Sequence, residues 1–200
     1  MSTANSLSVD DLGSAAQRDR RKRILDATIE LASTGGFDAV QMRAVAERAD
    51  VALGTLYRYF PSKIHLLVSA LGRELERADA AIRERPAVGD TAAERVIQIL
   101  KRTTRGMQGD AHLTEALTRA FMFADASVKA EIHSVGMLLT QMMTRAMHPG
   151  QAELTEEDVA IARVIGDVWL SALVAWVTGR STAADTAVHM ETAVKLLLRD

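Results

Sequence analysis

The chain has 200 residues and no cysteine. That excludes disulfides, thiolate metal sites and a cysteine nucleophile, and it fits a reducing compartment. Proline is scarce: the three residues, at 61, 86 and 149, each sit beside a polar or glycine-bearing break. Aromatic residues make up 4% of the chain, and the two tyrosines, Tyr57 and Tyr59, lie within three positions of each other. No run approaches the roughly 18 to 20 uninterrupted apolar residues of a membrane span. Residues 1–17 lack the basic start and apolar run of a secretory signal. A soluble cytoplasmic protein with no membrane partner is therefore expected. The five histidines (65, 112, 133, 148 and 189) are scattered, with no pair at the helical spacing of four that zinc sites use. No nucleophile-elbow, Walker or dinucleotide glycine pattern occurs. Neither catalysis, a cofactor nor a metal is expected.

What is present is helical. Hydrophobic residues make up 48% of the chain, enough for a sizeable core. Apolar positions recur at helical spacing, and β-branched residues do not alternate. Helices are expected over residues 16–33, 42–48, 52–59, 62–84, 91–107, 111–123, 127–147, 156–178 and 183–199. Ser62, Asp125, Thr155 and Ser181 or Thr182 provide cap chemistry near the starts. The run Thr34-Gly35-Gly36 stops the first helix, and "RPAVGD" marks a boundary after the fourth. The expected fold class is all-α, with about nine helices. Three small helices (16–65) precede a larger helical bundle (66–200), and residues 1–15 are expected to be disordered.

Charge is unevenly divided. Residues 17–65 hold nine Lys or Arg against six Asp or Glu, a balance of +3, whereas residues 66–200 hold fifteen against eighteen, a balance of −3. A basic N-terminal quarter on an acidic remainder suits a local polyanion contact. A helix over 52–59 explains the tyrosine pair. With Leu56 facing the core at 100° per residue, Phe60 and Ala52 fall within about 40° of it. Gly54 and Arg58 then point outward, flanked by Thr55 and Tyr57. On the preceding short helix Met42, Val45, Ala46 and Ala49 can pack inward while Arg43 points out. Two short helices on a short turn read as a helix-turn-helix, whose second helix can enter a major groove. There an arginine can read a guanine edge, and hydroxyl and ammonium groups suit phosphates.

The stretch "VQMRAVAERADVALGTLYRYFPSKIHLL" resembles the N-terminal DNA-binding domain of the TetR family of bacterial repressors. The resemblance implies base contacts from Arg43 and Thr55 and phosphate contacts from Tyr57, Tyr59, Lys63 and the start of the first helix. Two positions depart from the usual pattern: Asp50 replaces a turn glycine, and Ala52 replaces a capping serine. Further stretches, "LTEALTRAFMFADAS" and "IARVIGDVWLSALVAW" among them, resemble members of the family that repress cholesterol catabolism. That implies release from an inverted-repeat operator in double-stranded DNA by a hydrophobic effector, a sterol-derived acyl-CoA thioester. It also implies that residues 16–65 are a three-helix helix-turn-helix DNA-binding domain and residues 66–200 a ligand-binding and dimerisation bundle, with a homodimer packed through the last two helices. Seven of the nine methionines lie from Met107 to Met190, and methionine adapts to irregular apolar ligands. Candidate ligand contacts are Met107, Leu117, Phe121, Met122, Met142, Trp169, Leu173 and Trp176. The alternative is a helix-turn-helix protein with no small-molecule input, in which these residues form ordinary core.

Overall fold

A computed structural model of the chain describes the backbone of residues 9–150 and 155–199, and side chains from residue 15 onward. The described residues form nine α-helices and no strand. The helices are α1 (Val9–Ala39), α2 (Met42–Arg48), α3 (Leu53–Tyr59), α4 (Lys63–Glu84), α5 (Ala92–Gln108), α6 (Ala111–Met122), α7 (Lys129–Met147), α8 (Glu156–Val177) and α9 (Ala183–Leu197). A 3-10 turn, Ala126–Val128, leads into α7.

The helix starts follow cap chemistry. Ser62 accepts from the His65 amide at the start of α4. Thr155 with Asp158 and Thr182 with Asp185 form capping boxes on α8 and α9, and Thr91 with Glu94 forms another on α5. α1 begins at Val9, so residues 9–15 of the segment expected to be disordered are its first turns; residues 1–8 lie outside the described residues. The expected stop at Gly35-Gly36 is a sharp break within α1. Gly36 has φ +66°, a conformation that favours glycine, and a Cβ there would lie 2.7 Å from Glu115 Oε2.

α1, α2 and α3 enclose Ile24, Leu25, Val40, Val45, Leu56 and Phe60, all buried. This small head rests on the bundle through α1 against α6 and through the continuous helix α4. In the bundle, α4, α6, α7 and α8 pack together, and α9 closes on α5 and α8. Buried Asp79 of α4 holds Arg83 and Arg145 at 2.8 Å each, which ties α4 to α7. Arg95 of α5 donates to the carbonyls of Ala146 (2.8 Å) and Met147 (2.9 Å), which terminates α7. α8 is long and apolar enough by composition to cross a membrane, yet it carries Arg163 and Asp167 and packs against α6, α7 and α9. Only 28% of its most apolar window is buried within the single chain.

Candidate nucleic-acid interface and ligand cavity

The helix-turn-helix is built around one anchor. Leu56 is fully buried, and Phe60, in extended conformation just past α3, is buried beside it. The face opposite Leu56 is open. Gly54 and Arg58 are exposed, Tyr57 is 46% exposed, and Thr55 and Tyr59 are half-buried. Nothing lies within 4 Å of a Cβ built on Gly54, so the backbone there can approach a flat surface closely. Arg43 is exposed in the first turn of α2, and no ion pair among the described residues engages it or Arg58. Ala52, placed near the core by helical angle, is instead exposed. It is the extended N-cap of α3, outside the helix, so the 100° rule does not apply to it; it makes no side-chain cap bond.

The turn between α2 and α3 shows how the sequence manages without its glycine. Asp50 adopts φ +53°, the left-handed region in which most residues are strained. Arg23 of α1 reaches across and donates to the carbonyl of Ala49 at 2.7 Å and more weakly to that of Asp50 at 3.4 Å. One residue of the basic block therefore fastens the turn.

Lys63 opens α4 beneath this surface. Its ammonium lies 3.8 Å from the centre of the Phe37 ring, and the Arg119 guanidinium lies 4.4 Å from the same ring. Burial pulls the Lys63 ammonium below its ordinary pKa; the Asp38 carboxylate opposes that shift, Arg119 adds to it, and Glu115 opposes it. His65, two residues further on and buried, bridges Ser62 Oγ (2.9 Å) and the carbonyl of Ser127 (3.1 Å). The Phe37 amide donates to Glu115 of α6. The helix-turn-helix head is thus clasped to the bundle through α6 and the start of α4.

A cavity of about 260 Å³ lies inside the bundle, between α4, α6, α7 and α8. Its inner wall includes Leu71, Leu75, Thr118, Ala162, Trp169 and Leu173, all buried. His133, Gly136, Met137, Arg163 and Asp167, all exposed, form its rim. A second cavity of about 300 Å³ shares Leu71, Leu75 and Met107 with the first. Met107, Phe121, Trp169 and Leu173 of the candidate set line the first cavity, and Leu117 lines the second. The other three lie elsewhere. Met122 is 54% exposed at the end of α6, turned about 100° from Phe121. Met142 is buried in the core. Trp176 shares a face with Trp169 but sits two turns along α8, packed against the outside of the core.

Sequence reasoning did not single out Thr118, Gly136, Gly166, His133, Arg163 or Asp167. The glycines carried the one available signal. Gly136 on α7 and Gly166 on α8 both line the cavity, and a Cβ on either would meet no atom within 4 Å. Glycine inside a helix costs about 1 kcal/mol, and here it leaves room.

Known proteins match both halves of this architecture. Residues 24–70 match the model described as bacterial regulatory proteins, tetR family. Residues 89–197 match the tetracyclin repressor-like C-terminal domain. The HTH-type transcriptional repressor KstR of Rhodococcus jostii (strain RHA1) is 61% identical over 197 residues, covering 98% of this chain and 91% of that protein. The crystal structure of a TetR transcriptional regulator from Rhodococcus sp. RHA1 superimposes with a TM-score of 0.86 at 33% identity, over 92% of this chain and 98% of the other. The Thermus thermophilus repressor FadR, crystallised with lauroyl-CoA, shares the fold with a TM-score of 0.67 at 22% identity, over 89% and 93% of the two chains. With a helix-turn-helix head, a cavity-bearing helical bundle and both domain models on one chain, the protein belongs to the TetR family of bacterial regulatory proteins.

Proposed function

We propose that the protein is a homodimeric transcriptional repressor that binds an inverted-repeat operator and is released by a sterol-derived acyl-CoA thioester, so controlling genes of cholesterol or lipid catabolism. Residues 16–65 act as the DNA-binding domain and residues 66–200 as the ligand-binding and dimerisation domain. The observation that carries the reading is the pairing of an open reading surface with a polar-rimmed apolar cavity, joined by α4 and α6. Arg43 and Thr55 contact bases, while Tyr57, Tyr59 and Lys63 hold phosphates; Gly54 admits the backbone, and Arg58 lies on the same face. Lys63 exchanges part of its contact with the Phe37 ring for a phosphate when DNA binds.

The thioester reading draws support from two sides. KstR repressors are similar over nearly the whole chain, and the Thermus regulator of the same fold was crystallised with lauroyl-CoA. The chemistry of the cavity lining agrees: an apolar acyl group suits the inner wall, and the polar part of a thioester suits the rim. Dimerisation rests on α8 and α9. Val164 (44% exposed), Val188 (66%) and Leu196 (56%) lie on their outward faces, and burial against a second copy removes that apolar surface from water. Two heads on one duplex face then read half-sites about one helical turn, roughly 34 to 36 Å, or a multiple of it apart.

The test measures binding of the full chain to an operator selected from genomic fragments and to random duplex. Arg43→Ala weakens operator binding by about 1 to 3 kcal/mol and barely alters random-duplex binding. A sterol-acid CoA thioester dissociates the wild-type complex. Equal losses on both duplexes remove Arg43 from base reading, and indifference to every acyl-CoA removes the sensor.

A further inference from the structure

The inner wall of the cavity carries one hydroxyl with nothing to bind. Thr118 on α6 is 3% exposed, borders the cavity, and its Oγ1 has no hydrogen-bond partner. The other buried threonines behave differently. Thr28, Thr103, Thr144 and Thr186 return their hydroxyls to the carbonyl four residues back, at 2.8, 3.0, 2.9 and 2.9 Å. Thr114 donates to the Met107 carbonyl at 2.6 Å, and Thr104 accepts from Trp169 Nε1 at 2.9 Å. Among the described residues, Thr118 is therefore the only buried threonine with an unpartnered hydroxyl. Buried polar groups are almost always satisfied, and a helical threonine has the carbonyl of the preceding turn at hand.

Thr118 lies on the inner wall, whereas His133, Arg163 and Asp167 stand exposed at the rim. A thioester whose polar end stays at the rim places the opposite end of its acyl group toward Thr118. We propose that Thr118 is a specificity-determining residue that hydrogen-bonds an oxygen at the end of the ligand remote from the thioester. The ligand class is a polycyclic acid thioester with an oxygenated ring, a ketone that accepts from Thr118 or a hydroxyl that exchanges with it. A plain fatty acyl chain leaves the Thr118 hydroxyl unpaired and is disfavoured for that reason. This assignment rests on the acyl-CoA reading above.

The experiment is calorimetric titration of the full chain with two probes: the CoA thioester of a steroid acid bearing a ring ketone, and the matching thioester with that ketone reduced to methylene. Wild-type protein binds the ketone about five- to tenfold more tightly, the factor one neutral hydrogen bond supplies. Thr118→Val removes that preference, Thr118→Ser keeps it, and the methylene thioester binds the valine variant as well as it binds wild type or better. The thermal midpoint of unliganded Thr118→Val equals or exceeds that of wild type, because no protein contact is lost. A preference that survives Thr118→Val, or no preference in wild type, overturns the assignment while the acyl-CoA reading stands. Failure of both thioesters to bind overturns the acyl-CoA reading and this assignment together. A lower midpoint for the valine variant assigns the hydroxyl a structural role instead.

Discussion

The backbone amide of Phe37 donates a 2.8 Å hydrogen bond to Oε2 of Glu115, 78 positions further along the chain. One partner belongs to the reading head, just past the break at Gly35 and Gly36, and the other to α6. Thr118, one turn beyond Glu115 on α6, and Phe121, nearly two turns beyond it, line the cavity. Glu115→Ala leaves the part-buried amide without an acceptor and opens the clasp around Phe37. Stability should fall by about 1 to 3 kcal/mol in urea unfolding, and Glu115→Gln, which keeps a carbonyl acceptor, should lose less.

Asp50 and Arg23 form a second coupled pair. The left-handed backbone at Asp50 is strained for any side chain, and Arg23 offsets that by binding the turn carbonyls. Asp50→Gly should gain up to about 1 kcal/mol, less the larger unfolded-state entropy of glycine. Arg23→Ala should lose about 1 to 2 kcal/mol, since a charge-assisted bond to the turn disappears. Thermal and denaturant midpoints of both variants and of the double mutant check this. The Arg23→Ala loss should be smaller in the glycine background if the arginine's role is to hold the strained turn.

Much of this architecture was legible in the sequence because its signals are local. Ser62, Thr155 and Thr182 announce their helices by cap chemistry, and α2 spans the expected residues 42–48 because its apolar positions and flanking turn agree. Leu56 and Phe60 follow from a simple angular argument. The argument fails at Ala52, where the chain has already left the helix. The cavity is a different case. Its lining depends on the height at which α6, α7 and α8 cross, and periodicity fixes a face without fixing a height. Trp176 therefore shares the face of Trp169 but lies beyond the cavity. Met142 has the right chemistry and fills core instead. His133, Arg163 and Asp167 read as ordinary solvated side chains, and only the meeting of α7 with α8 makes them a rim.

The start of α8 should respond to acid. Hydrogen bonds from Thr155, then from His148 at 2.7 Å, pull the Asp158 carboxyl down to about 2, with burial opposing them. A carboxylate depressed in the folded state contributes stability that is full above its ordinary value near 3.8 and is lost as pH falls toward about 2. Thermal midpoints measured between pH 5 and pH 2, in steps of roughly half a unit, should fall more steeply for wild type than for Asp158→Asn. Parallel curves would show that the carboxylate charge does not stabilise this cap.

Filling the cavity separates DNA binding from ligand response. Gly166 sits in the middle of α8 on the cavity wall, and a Cβ built there meets no atom within 4 Å. Gly166→Leu adds a branched apolar side chain to space that the protein itself leaves open. Leucine favours the helix over glycine by close to 1 kcal/mol, so the thermal midpoint should hold or rise. The reading head contributes no residue to the cavity lining and keeps its operator affinity in fluorescence anisotropy. The thioester, which needs the same volume, no longer dissociates the complex at concentrations that release wild type. A variant that binds operator normally and is still released as readily as wild type would place the effector outside this cavity. The groove of about 230 Å³ on α5 and α9, lined by Lys101, Arg105 and Glu191, would then be the next surface to fill.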